Sequence, residues 1–146
     1  MKESLQPGLT YEFRYLVPED KTVPHLLPEA TELAGMPRVL ATGFLVGLIE
    51  LACIKALIPH LDWPNEQSVG TDLKITHEAA TPPGFTVTIA VKLEKVEGRK
   101  LAFSVTASDG ADRVSRGTHE RFVIDAAKFG ARITAKAAGL AVKPAV

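Results

Sequence analysis

Between Ala41 and Pro59 the chain reads ATGFLVGLIELACIKALIP, an apolar run with a single carboxylate, Glu50, in its middle. No other stretch restricts the fold as much. The run is too long for one buried strand, and its leucine and alanine content predicts a helix over Gly43 to Ile58, stopped by Pro59. Because the helix is apolar nearly all round, the remainder of the chain is expected to wrap it. An ionised carboxylate taken out of water costs several kcal/mol unless something pairs with it, so Glu50 demands a partner.

What wraps the helix reads as strands. Leu9 to Val17 alternates Tyr11, Phe13 and Tyr15 against Thr10, Glu12 and Arg14, the period of a half-buried strand, and Pro18 ends it. From Pro18 to Pro37 the pattern is broken by Pro24, Pro28 and Gly35, which predicts a long irregular cover with one short helical turn. After a loop over Asp62 to Glu66, strands are expected at Ser68 to Ala79, Phe85 to Glu97, Lys100 to Ser108 and Asp112 to Ile124. The turns TPPG, EGR and DG between them are short, so neighbouring strands run antiparallel. Asp125 to Gly139 is alanine-rich and reads as a short helix, and the terminal AVKPAV is expected to fray. One strand, one long helix and four antiparallel strands make an α+β layout, a curved antiparallel sheet wrapped around a central helix. That is the hot-dog pattern.

Composition narrows the function. With 146 residues, 46% of them hydrophobic, residues 1–146 are read as one domain. Seventeen basic residues balance seventeen acidic ones, so no broad field attracts nucleic acid or a membrane surface, and an anionic ligand must be held locally. The start, MKESLQPG, lacks an apolar signal-peptide core and no run reaches about 18 apolar residues, so neither leader nor membrane span is expected. The lone Cys53 fits a reducing cytoplasm.

The partner for Glu50 is sought on the sheet. Alternation in VGTDLKITHEAA puts Thr71, Leu73, Ile75, His77 and Ala79 on one face, which sets His77 toward the helix. A lone core histidine is more often packing than chemistry. Facing the one acid of the helix, it becomes a candidate acid/base pair, because each group relieves the other's desolvation. Thr42 adds a hydroxyl at the start of that helix, where free N–H groups can stabilise an oxyanion, although a plain N-cap is the simpler reading. Thr42 and Glu50 are eight residues apart, about 12 Å along a helix. If both are helical they cannot touch directly, so a substrate acyl group or His77 is expected between them, or a first turn that is irregular around Gly43 and Gly47. His119, beside Glu120, lacks the histidine spacing of a zinc site, and His25 and His60 stand alone, so no metal is expected. Cys53 reads as inert packing. Arg113, Arg116 and Arg121 form a cluster able to meet phosphates, with surface solvation as the plain alternative.

The motifs ATGF..GL.E at Ala41 to Glu50, S.GT at Ser68 to Thr71, TH.AATPPG at Thr76 to Gly84, VEGR at Val96 to Arg99, DG at Asp109 and SRGTHER at Ser115 to Arg121 together resemble the fluoroacetyl-CoA thioesterase family. The resemblance spans roughly Thr10 to Phe129. It implies a homodimeric hot-dog enzyme that hydrolyses a short acyl-CoA through a covalent acyl intermediate, with no cofactor. The family's catalytic Thr, Glu and His fall on Thr42, Glu50 and His77. Its substrate-contacting glycine and arginine fall on Gly70 and Arg121, brought to the site across the dimer interface. The chain departs from the family in the segment before the helix, where Leu33 and Met36 replace two phenylalanines that close the pocket. Leucine and methionine fill space more loosely than rigid rings, so catalysis is expected to be kept and fluorine selectivity to be weakened. Two other readings use the same residues: an acyl-CoA-binding dimer without turnover, and a dehydratase acting on hydroxyacyl thioesters.

Overall fold

The computed structural model describes residues 1–139. The chain forms β1 (Thr10–Leu16), α1 (Thr42–Leu57), β2 (Glu66–Ile75), β3 (Thr86–Glu97), β4 (Lys100–Ser108), β5 (Arg113–Asp125) and α2 (Ala126–Ala137). The strands make one antiparallel sheet in the order β1-β3-β4-β5-β2, curved around α1. β1 and β2 are its two edges, so α1 carries the chain from one edge to the other across the concave face. The hot-dog arrangement follows from the sequence as expected, with strand ends displaced by a few residues. The terminal AVKPAV lies outside the described residues.

Alternation does the packing. In β3 Val87, Ile89, Val91 and Leu93 turn inward, in β4 Leu101, Phe103 and Val105, and all are almost fully buried. They close on Leu45, Leu48, Ile49, Ala52, Cys53 and Leu57 of α1. Each large side chain so buried contributes about 1.5–3 kcal/mol relative to exposure. The helix is not wrapped on all sides. Thr42, Gly43 and Gly47 are exposed and Leu51 is 37% exposed, which leaves a strip of α1 uncovered beside edge strand β2. Continued by a single 3-10 turn, the stretch Thr42–His60 has 19 residues and a mean hydropathy of 1.7, long and apolar enough to cross a membrane by length and composition. Here it is the core helix of the sheet.

β2 departs from simple alternation. Gly70 lies opposite Arg121 and Asp72 opposite Glu120, so Thr71 is an extra residue, a β-bulge. Strict alternation places Thr71 inward; the bulge expels it and brings Ser68 and Gly70 onto the inner face with Leu73 and Ile75. The expected strand end at Ala79 is also shortened, since β2 stops at Ile75. The cover between β1 and α1 holds three single 3-10 turns, at Glu19–Lys21, Val23–His25 and Thr31–Leu33, where one was expected. Its ends meet: Val23 N–H donates to the Val39 carbonyl at 3.0 Å, and the fully buried Thr22 bridges to Leu40.

Candidate active site

Thr42 is not the helix cap. Ala41 occupies that position with extended backbone, and no side chain caps the helix. Thr42 is therefore the first helical residue and its hydroxyl is free for another partner, the Nδ1 of His77, 2.7 Å away. The first N–H groups of α1 are left without a side-chain acceptor or an acid nearby, which keeps the positive end of the helix available to an incoming oxygen.

His77 lies two residues past the end of β2, yet its orientation is fixed. The N–H groups of Thr76 and Glu78 donate to the carbonyls of Arg116 and Val114, so the extended segment keeps following β5. Glu78 points the other way and is salt-bridged to Arg113 and Arg116. Those contacts hold its carboxyl below the usual range, the Thr76 hydroxyl bond first and Arg113 next. Alternation then turns His77 toward α1, as expected, with its Nε2 buried and unpartnered. A cleft of about 270 Å³ opens here, lined by Val23, Val39, Leu40, Thr42 and His77 among others.

Glu50 is found in a second cleft of about 270 Å³, with Val46, Gly70, Thr71, Leu73 and His119. Its partner is not His77. Arg121 Nη1 donates to Glu50 Oε1 at 3.2 Å, so the expected acid–imidazole pair is replaced by two separate pairs, Thr42 with His77 and Glu50 with Arg121. The carboxylate does have the partner that solvation requires, and it is a guanidinium on β5. Arg121 satisfies that requirement better, because it remains a cation throughout the pH range of life.

Arg121 itself is held on every side. Its side chain is 3% exposed, against 41% for Glu50. Nε donates to Ser68 Oγ and Nη2 to the Ser68 carbonyl, both at 2.8 Å. Nη1 also meets His119 Nε2 at 3.0 Å. A guanidinium so engaged orders Glu50, and these four contacts leave one N–H of Nη2 over. Gly70 is there for room: a Cβ would overlap Glu50 Oε1 and stand 3.1 Å from the His119 ring. The arginine cluster is thereby divided, with two members on the surface with Glu78 and the third in the core.

Leu33 and Met36 line neither cleft. Leu33 is half-buried and Met36 is 46% exposed. The cover instead reaches the Thr42–His77 cleft through Val23 and Val39, which the sequence did not single out. Ser68 and His119 were missed too, although alternation back from the apolar Val123 places His119 and Arg121 on one face. Burial pushes the Cys53 thiol up to about 12, more strongly than nearby Arg121 lowers it, so Cys53 is not a nucleophile.

A curved sheet around one helix, with a hydroxyl–imidazole pair at the helix start and a tethered carboxylate two turns on, defines a hot-dog thioesterase. A model of the fluoroacetyl-CoA-specific thioesterase FlK matches residues 19–127. The fluoroacetyl-CoA thioesterase of Streptantibioticus cattleyicolor is 49% identical over 93% of this chain and 97% of its own. The solved structure of a threonine-to-alanine variant of FlK with fluoroacetate superposes with a TM-score of 0.88 at 48% identity, covering 90% of this chain and 98% of that one. A thioesterase superfamily member from Thermus thermophilus gives a TM-score of 0.78 at 27% identity, covering 90% and 93%. The chain belongs to the fluoroacetyl-CoA-specific thioesterase family and is a thioester hydrolase.

Proposed function

We propose that the chain hydrolyses short acyl-CoA thioesters, fluoroacetyl-CoA among them, to the carboxylic acid and free CoA, and that it works as a homodimer. The observation that carries this is the 2.7 Å bond between Thr42 and His77 at an uncapped helix start. The Thr42 hydroxyl and the first-turn N–H groups are suited to the thioester oxygen as charge develops on it. His77, with Nε2 free of protein partners, exchanges the proton that the departing thiolate or the attacking water requires. Glu50, oriented by Arg121, supplies the group that attacks the carbonyl or activates water.

The homodimer makes these parts one site. Val46 lies midway between Thr42 and Glu50, on the strip where Gly43, Gly47 and Leu51 are exposed. Two copies of α1 crossing antiparallel about Val46 set Thr42 of each opposite the partner's Glu50, and the two glycines allow a close approach. The acyl-CoA substrate agrees with a variant of FlK having been solved with fluoroacetate and CoA, at 50% identity and a TM-score of 0.83, covering 86% of this chain and 99% of that one.

The test is thiol release from a panel of acetyl-, fluoroacetyl- and propionyl-CoA, with Glu50→Gln and His77→Ala alongside. Both variants are expected to lose nearly all turnover. No thiol from wild type on any member of the panel sinks the reading.

A further inference from the structure

The proposed chemistry leaves two titratable side chains of the Glu50 cleft without a task, the exposed Asp72 and the buried His119. His119 is 2% exposed. Its Nδ1 lies 2.8 Å from the Asp72 carbonyl oxygen, an atom that only accepts, so Nδ1 carries the proton. In the neutral ring Nε2 then has the lone pair, and it faces Arg121 Nη1, which only donates, at 3.0 Å. One species satisfies both bonds: neutral imidazole protonated at Nδ1. The imidazolium would set an Nε2–H against an N–H and one cation against another.

The same Nη1 holds Glu50, while Ser68 takes bonds from Nε and Nη2. Ser68 anchors the Nε/Nη2 edge of the rigid, planar guanidinium, and the two acceptors of Nη1, Glu50 and His119, fix the tilt of the plane about that edge. We propose that His119 is a positioning residue for the hydrolysis: by accepting from Nη1 it aims Arg121, and through Arg121 the Glu50 carboxylate, and it does so only while neutral. This deepens the thioesterase reading and rests on it.

Every element packed on the ring bears on its charge. β5 presents Arg121, β2 presents Asp72 and the Gly70 backbone, α1 presents Glu50, and β4 sets the apolar Phe103 alongside. Burial first and Arg121 after it oppose protonation; the Asp72 carbonyl and the carboxylates of Glu50 and Asp72 favour it, and the balance lies below the ordinary histidine value. A folded-state value lowered in this way gives stability that is complete above about pH 6.5 and is lost as the pH falls through the lowered value.

The experiment has three arms on the full chain. Nitrogen-15 NMR of wild type at neutral pH is expected to show His119 protonated at Nδ1 and bare at Nε2; the opposite tautomer, or imidazolium, overturns the proposal. His119→Leu is expected to lower kcat for acetyl-CoA roughly 10- to 100-fold, the scale of misplacing a reacting group by about 1 Å, with KM moved far less. In an Arg121→Ala background the same change should add about nothing, because neighbours that act through one group are not additive. Full additivity would mean that His119 does not work through Arg121. His119→Gln keeps an acceptor and does not titrate, so it should recover most of the loss and shed one proton from the acid limb of kcat/KM. An unchanged acid limb in that variant overturns the dependence on charge. If His119→Leu does not fold, the NMR and glutamine arms still decide. A wild type that releases no thiol would sink the thioesterase reading, while the NMR arm would stand by itself.

Discussion

Glu50 shows how far a single residue can be read. That an acid in an oily helix needs a partner follows from solvation alone, and that partner exists. Which one it is depends on a strand 71 residues further on, where Arg121 sits inside the polar-looking RGTHER. Thr42 shows a related limit: hydroxyls cap helices often enough that one at a helix start suggests a cap, and apart from the family resemblance it takes the place of His77 to reveal the other use. Because Arg121 is 3% exposed, Glu50→Gln leaves a buried cation with a weaker acceptor. We expect a loss of about 1–3 kcal/mol, seen as a Tm lower by roughly 3–9 °C in a thermal melt; an unchanged melt would mean that the pair is not formed. This loss of stability does not depend on turnover, which thiol release reads separately. Gly70→Ala tests the same contact from the sheet. Its methyl would displace the Glu50 carboxylate, lowering kcat about 10-fold or more with the fold intact by circular dichroism. Wild-type kcat in this variant would show that Glu50 has room to spare.

At the scale of elements, the helix and the strand periods were legible because they repeat; the cover and the bulge were not, because each is decided by contacts far away in sequence. Nothing in the prolines of Pro18 to Pro37 announces that Thr22 and Val23 return to meet Val39 and Leu40. That closure puts Val23 and Val39 in the Thr42–His77 cleft and leaves Met36 at the surface. Val23→Ala is therefore expected to change KM for acetyl-CoA more than Met36→Ala does, as steady-state kinetics would show; the reverse order would place Met36 over the bound acyl group. Leu33→Phe with Met36→Phe asks whether rings restore selectivity. A higher ratio of kcat/KM for fluoroacetyl-CoA over acetyl-CoA supports the expectation of a loosened lid, and an unchanged ratio removes it.

For the whole molecule, Thr42 with His77 and Glu50 with Arg121 lie in two separate clefts of one chain, and the proposed homodimer would join them into one site; in the sequence this separation is legible only in the eight-residue spacing of Thr42 and Glu50 and in the dimer that the resemblance implies. Shared sites make a distinctive prediction. Thr42→Ala and Glu50→Gln, each inactive alone, should regain activity when mixed and allowed to exchange subunits, since a mixed dimer assembles one site with both groups intact. Random exchange puts the ceiling at about a quarter of wild-type turnover, measured by thiol release; no recovery despite demonstrated exchange would confine each site to one chain. The extra residue in β2 adds a last consequence. Thr71 works as a phase shifter: upstream of it even-numbered positions face the helix, downstream of it odd-numbered ones do. Point substitution cannot remove such a shift, but deleting that one codon can. The deletion would join Gly70 directly to Asp72, already partners of the consecutive Arg121 and Glu120, so Ser68, Gly70, Leu73 and Ile75 would keep one inner face; the moorings of Arg121 and the direction of His77 would both survive, and only the local bend of the edge strand would be lost.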